Sequence, residues 1–272
     1  MNNLTVSSSP HIHSPKTTQG IMLDVIIAMI PAAVMSVILF GFRALVVELF
    51  CMAGCLGLEA LWNWSFNADQ TIGDLSALVT GLMLAFNMPV SIPLWQAFIG
   101  CIVAIIVVKM LFGGIGQNFM NPALGARCFL LICFTARMTT FTYDGVTCAT
   151  PLANLKNGEA VNTWNMVIGK IPGTIGETSV VAIIIGAIIL ILFDVIDMKI
   201  PAAYFITFVI FIGLFGGHGW NAYYITAQLA GGGLMLGAFF MATDYATSPI
   251  TPLGKIIYGI ILGLLTGFGA GF

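Results

Sequence analysis

Apolar runs close to membrane-spanning length recur along this chain, at about 21–40, 44–62, 93–112, 178–196 and 253–272, with few charges inside them. A helix rises 1.5 Å per residue, so about 20 apolar residues cross the ~30 Å hydrocarbon core of a bilayer. A soluble domain carries about a quarter charged residues; here 7% are charged and the mean hydropathy is +1.02. Transmembrane strands would alternate apolar and polar residues, and these runs are continuous. The expectation is an all-α polytopic membrane protein, its partner the lipid bilayer, with about nine to ten transmembrane helices, some short or broken. A net charge of -2 and the lack of a basic stripe speak against nucleic acid.

Residues 1–20 form a polar arm with His11, His13 and Lys16, expected along the membrane surface and without the small-residue cleavage pattern of a signal peptide. A first transmembrane half is expected over 21–138. Its spans are Ile21–Phe40, which contains Pro31, Ala44–Trp62, which contains Glu48 and Glu59, and Pro93–Phe112, which ends with Lys109 near an interface. Ala77–Met88 is too short to cross alone and ends at Asn87-Met88-Pro89, as a short or broken helix would. Ala123–Met138 is the fifth span. Residues 139–176 are the only long hydrophilic interval. A second half follows over 177–272: Thr178–Ile196, Ile200–Phe215, Ala222–Ala242 weakened by Gly231-Gly232-Gly233, and Leu253–Phe272.

Two words recur across these halves. Leu111-Phe112-Gly113-Gly114-Ile115-Gly116-Gln117-Asn118 matches Leu214-Phe215-Gly216-Gly217-His218-Gly219-Trp220-Asn221, and Gly81-Leu82-Met83-Leu84 matches Gly233-Leu234-Met235-Leu236. Paired interrupted segments of this kind mark transporters built of two related halves, and chance repetition in a Gly- and Leu-rich chain is equally compatible. Lys16, Lys109, Lys199 and Lys255 fall on one side if the N-terminus is cytoplasmic, which leaves the 139–176 interval facing outward. The six cysteines form no C-x-x-C pair and are expected to pack as small apolar groups.

Within the polar interval stands Asp144-Gly145-Val146-Thr147-Cys148-Ala149-Thr150-Pro151. Asp-Gly is a turn signal, and two hydroxyls follow at a spacing of three; taken alone, this is a polar loop. Asp-x-x-Thr-x-Ala-Thr resembles the signal read by flavin transferases, which esterify the phosphate of FMN to the last threonine. Together with Gly114-Ile115-Gly116-Gln117-Asn118, Asn121-Pro122-Ala123, Gly176-Glu177-Thr178-Ser179, Met241-Ala242-Thr243-Asp244, Thr247-Ser248-Pro249 and Gly254-Lys255, it makes nearly the whole chain similar to one family. That family contains the D subunit of the Rnf ion-translocating electron-transport complex and the B subunit of the sodium-translocating NADH:quinone reductase.

The resemblance implies FMN bound covalently through a phosphoester to Thr150, with Asp144, Thr147 and Ala149 as recognition residues. Cys148 stands where the family more often has Gly or Ser, and a small side chain still fits. The resemblance further implies a membrane subunit of a redox-driven translocase in a bacterial or archaeal cell membrane: a ferredoxin:NAD+ oxidoreductase moving Na+ or H+, preferred for the short chain and brief N-terminal arm, with the B subunit of a sodium-translocating NADH:quinone reductase as the alternative. Its partners would be the A, B, C, E and G subunits of the Rnf complex, among them iron–sulfur subunits and a second covalent-FMN subunit, together with a flavin transferase. Whether riboflavin binds non-covalently as well is left open. Family members continue beyond this point into another span, whereas this chain stops at Phe272.

Polar residues within spans are costly and often functional. Arg127 could meet a flavin phosphate, and a lipid headgroup is the blander expectation. Glu177 is expected either to cap the sixth span or to contact flavin or ion, and Asp244 to cap a turn with Thr247 and Ser248 or to coordinate a cation. No catalytic residue and no metal ligand set is expected. The rival from another class is a passive channel or secondary transporter without flavin; another is a structural subunit whose Thr150 is unmodified.

Overall fold

The computed structural model describes residues 16–143, 146–158, 160–177, 179–231 and 233–271. Most of it is helix, with a single two-stranded ribbon. The hydroxyl of Thr17 accepts from the amide of Gly20 (3.1 Å) and starts α1, Thr18–Phe40. Pro31 lies inside α1 without ending it, and Gly41 turns the chain directly into α2, Phe42–Ser65. After a 3-10 turn at Ile72–Asp74 comes α3, Ser76–Phe86, all but one of whose residues are buried. At about 17 Å it covers only part of a membrane. Helix α4, Leu94–Ile102, continues through a wide π turn to Phe112.

The span expected over Ala123–Met138 is two pieces, α5 (Pro122–Cys133) and α6 (Thr135–Met138). Phe134 between them leaves the helical region at φ -129° and ψ 41°, with its ring set edge-on against Trp95 at 5.4 Å. The polar interval carries a two-stranded antiparallel ribbon, β1 (Thr142–Tyr143) with β2 (Val146–Thr147), and the short helices α7 (Pro151–Lys156) and α8 (Thr163–Ile168). Next come α9 (Val180–Leu192), α10 (Lys199–Phe215), α11 (Ala222–Ala230), α12 (Leu234–Leu236), which runs on to Met241, and α13 (Pro252–Gly271). The α11–α12 pair is bent by 66°, as expected for a helix weakened by Gly231 and its neighbours. Among the described residues four helices are long and apolar enough to cross a membrane, the bent pair adds a fifth, and four apolar helices are shorter. The chain is a multi-pass membrane protein.

Lipid tails supply no hydrophobic drive between helices, so close packing on small residues holds such bundles together. A Cβ at Gly81 of α3 would lie 2.7 Å from the Cys51 carbonyl oxygen of α2, and at Gly186 of α9 it would strike the Ala28 carbonyl of α1. Gly259, Gly263 and Gly267 form one stripe along α13 against Ala203, Thr207 and Phe211 of α10.

Contacts at the helix ends sort the connections into two sets. Arg43 at the start of α2 donates to the Ile92 carbonyl (2.9 Å), Ser91 to that of Thr140 (3.2 Å), and Val161 pairs with the hydroxyl of Tyr223. At the opposite end Lys16 reaches Asp194 (3.3 Å), Tyr245 bonds the Val195 carbonyl, and Lys255 meets Asp197 (3.5 Å). The two Leu-Phe-Gly-Gly words therefore stand at opposite ends. The first, after α4, faces the cavity that includes Val195 and Asp244; the second, after α10, leads to Tyr223 beside the polar interval. They agree at two backbone positions: Gly114 and Gly116 in one, and Gly217 and Gly219 in the other, have φ between 57° and 95°, which glycine alone adopts freely, whereas Gly113 has φ 114° and Gly216 φ -74°. An asparagine caps the helix that follows each word, Asn121 for α5 and Asn221 for α11.

Lys109 is not an interfacial residue. It is 3% exposed, and its ammonium meets Glu59 Oε2 and Ser76 Oγ at 2.6 Å each, because α4 packs this segment against α2 and α3. Glu48, 2% exposed, accepts from Ser36 at 2.5 Å. Cys51, Cys55 and Cys101 are buried and free, while Cys128, Cys133 and Cys148 are exposed, since α5 turns the first two outward and Cys148 lies on the polar interval.

Candidate functional site

The site grows from the Thr-Pro pair in the polar interval. Threonine at the position before a helix offers its oxygen to unpaired amides, and proline at the first helical position sacrifices no hydrogen bond. Thr150 accordingly precedes α7 with extended backbone (φ -68°, ψ 153°), and its hydroxyl oxygen accepts from the Ala153 amide at 3.4 Å. Before it, the Cys148 amide donates to the Phe141 carbonyl (3.1 Å), extending the β1–β2 ribbon to the threonine. Thr147, Cys148 and Ala149 are exposed and Thr150 is half-buried, so the stretch is open to a modifying enzyme while its last hydroxyl turns inward. Asp144, the first recognition residue, lies outside the described residues.

Thr150 lines a cavity of about 170 Å3 whose wall includes Arg127, Phe141, Leu152, Thr174, Glu177 and Gly233. Arg127 comes from α5, yet it meets neither a lipid headgroup nor water alone. Its Nη1 donates to Asn87 Oδ1 at 2.6 Å and to Glu177 Oε1 at 2.5 Å. It turns inward because α3 stops at Phe86 and leaves Asn87 as an acceptor in the interior, fixed by its own bond to the Met83 carbonyl (2.7 Å). A guanidinium there is favourable only with a partner charge, and Glu177, 7% exposed, supplies it.

Glu177 is therefore not the cap of α9. Ser179 holds that place and accepts from the Ala182 amide at 3.4 Å, and the helix begins at Val180. The amides of Ile175 and Gly176 donate to the carbonyls of Met88 and Phe86, both at 3.0 Å, and tie the end of the polar interval to the end of α3. A Cβ at Gly176 would overlap the Phe86 ring, and one at Gly233 would overlap the Glu177 carboxylate, so the break between α11 and α12 rests directly on the ion pair.

Asp244 does not belong to this constellation. It sits at the opposite end of the bundle, in the wall of a second cavity of about 90 Å3 with Lys109, Asn118 and Asn121. Its carboxylate accepts from the Thr247 hydroxyl (3.2 Å) and the Ala246 amide (3.4 Å), and its carbonyl from the Ser248 amide (2.9 Å), which is the turn-capping role expected. Burial pushes its carboxyl above the ordinary value of 3.8. Among the described residues no three of His, Cys, Asp or Glu converge as a metal site.

Two residues of the site, Asn87 behind Arg127 and Thr174 in the cavity wall, were not singled out from the sequence. Asn87 was legible only as the end of a short helix. Thr174 is 3% exposed, lines the cavity, and its hydroxyl has no hydrogen-bond partner among the described residues. A buried polar group left so is costly, and a polar ligand in the cavity would relieve it. A phosphoester on Thr150 beside the Arg127 guanidinium and the Thr174 hydroxyl agrees with the donor set of the wall.

Residues 5–268 match the model of the NQR2, RnfD, RnfE family. The chain belongs to that family. Among its relatives is the D subunit of the Na(+)-translocating ferredoxin:NAD(+) oxidoreductase complex of Acetobacterium woodii, 45% identical over 97% of this chain and 84% of that one. The D subunit of the proton-translocating complex of Clostridium ljungdahlii is 36% identical, over 97% of this chain and 86% of its own. The D subunit of the ion-translocating oxidoreductase complex of Methanosarcina acetivorans is 33% identical, over 98% and 85%.

Proposed function

We propose that this chain is the D subunit of an Rnf-type ion-translocating ferredoxin:NAD+ oxidoreductase and carries FMN in phosphoester linkage to Thr150. The observation that supports this most is the site itself. In a chain 45% identical to the Acetobacterium woodii relative, the threonine that ends the Asp-x-x-Thr-x-Ala-Thr string opens on a cavity walled by Arg127 and the unpartnered hydroxyl of Thr174. A flavin there supplies one-electron transfer within the complex, and the protein supplies placement and electrostatic tuning.

Each residue then has a task. Thr150 provides the ester oxygen: its hydroxyl loses its proton as the new O–P bond forms, and the phosphoanhydride bond of an activated flavin donor held by the transferase breaks, its other phosphate leaving. Thr147 and Ala149 stand exposed, and the transferase reads them together with Asp144. Arg127 places a fixed positive charge in the wall, and Glu177 with Asn87 keeps that charge in one position. The partners are the A, B, C, E and G subunits of the Rnf complex and the transferase; the interval faces the extracytoplasmic side, and electron flow is coupled to Na+ or H+. Relatives of both kinds exist by name, so the ion is to be measured and not inferred. Riboflavin, the second flavin the resemblance allows, is assigned no residue.

The test is the intact mass of the protein, purified from cells that express a flavin transferase, with in-gel flavin fluorescence after denaturation. A mass increment of FMN that vanishes in Thr150→Ala is expected. An unmodified mass with active transferase present overturns the attachment and leaves the passive channel or the structural subunit as the better account.

A further inference from the structure

The Thr174 side chain is the one buried hydroxyl among the described residues left without a partner, and it lines the cavity onto which Thr150 opens. It is not free to swing away. The neighbouring amides of Ile175 and Gly176 are bonded to the end of α3, and Gly176 is pressed against Phe86. Both of the Arg127 bonds, to Asn87 and Glu177, leave from Nη1, and Arg127 lines the same cavity. Hydroxyl and guanidinium together offer donors that call for an oxygen acceptor.

We infer that Thr174 is a positioning residue for the flavin nucleotide: its hydroxyl donates to an oxygen of the group esterified to Thr150. This rests on the attachment proposed above. Three parts of the nucleotide supply such oxygens: the phosphoester, the pyrimidine carbonyls of the ring, and the ribityl hydroxyls, whose signature is opposite thermal shifts with neither the flavin bands nor the phosphorus resonance moved.

The consequence is a reversal of sign. Without a ligand the hydroxyl is an unsatisfied buried group, and an isosteric methyl in its place is favourable. With the nucleotide present, the same change removes a hydrogen bond and strands the acceptor. Thr174→Val is therefore expected to raise the thermal midpoint of the protein in a Thr150→Ala complex and to lower it in the flavin-loaded complex. Thr174→Ser, which keeps the hydroxyl, should restore the loaded value. Intact mass establishes the loading in each preparation.

A shift of the visible flavin bands and of the flavin midpoint potential in loaded Thr174→Val identifies a ring carbonyl as the acceptor. An altered phosphorus-31 resonance with unchanged bands identifies the phosphoester. Thermal shifts of the same sign in both backgrounds overturn the inference and leave Thr174 an ordinary unsatisfied hydroxyl, while Thr150 stays flavinylated. Absence of FMN from the wild-type protein overturns both the attachment and this inference.

Discussion

Replacing Lys109 by Met keeps the aliphatic stem and removes the ammonium from a fully enclosed pair. The Lys109 and Glu59 side chains are 4% and 0% exposed, with 2.6 Å between Nζ and Oε2. Glu59 would be left with the hydroxyl of Thr71 (2.5 Å), which is itself held by Asn63 (3.0 Å). Stranding one member of a buried pair costs about 3–5 kcal/mol. For a chain of this size that is a drop on the order of 10 °C in thermal midpoint. Glu59→Leu alone should cost a similar amount by stranding the ammonium on Ser76. Removing both charges together relieves each penalty, so Glu59→Leu/Lys109→Met should be less destabilised than either single variant. Thermal unfolding of the four proteins in the same detergent or nanodisc, followed by circular dichroism, closes the cycle. A double variant whose loss equals the sum of the single losses would refute the reasoning, because the two groups would then be independent.

Other outcomes follow from packing and charge. Gly263→Leu should separate α13 from α10, since even a Cβ there lies 2.8 Å from both Thr207 Cβ and the Tyr204 carbonyl oxygen. Overpacking of this kind costs about 1–3 kcal/mol, and an unchanged thermal midpoint would contradict the interface. Asp244 is held above its ordinary value of 3.8 by burial, so the fold favours its protonated form. Its contribution is most favourable below that value and is lost as pH rises from 3.8 through the raised folded value. Asp244→Asn should flatten the midpoint-versus-pH curve in that window, and parallel curves for the two proteins would count against it.

The bilayer class was set by the sequence because it depends on a sum over residues: too few charges, and apolar runs of spanning length. The short helix before Asn87-Met88-Pro89 and the break at Gly231 were legible for a similar reason, since proline and glycine act on the backbone at their own positions. Thr150 was found through a contiguous string, which an enzyme reads without reference to the rest of the fold. Partnership, by contrast, is a property of three dimensions. Arg127 and Glu177 are 50 residues apart, as are Lys109 and Glu59, and nothing local tells Arg127 that it turns toward Asn87 and away from lipid. The cap of α9 passed from Glu177 to Ser179 for that reason: the half-buried Arg127 guanidinium holds the buried carboxylate in a direct ion pair, which a helix end does not offer. Asp244 parted from the Thr150 cavity because chain order puts its turn at the other end of the bundle. Thr174, one hydroxyl among many in the sequence, became a distinct group only when packing enclosed it with no partner.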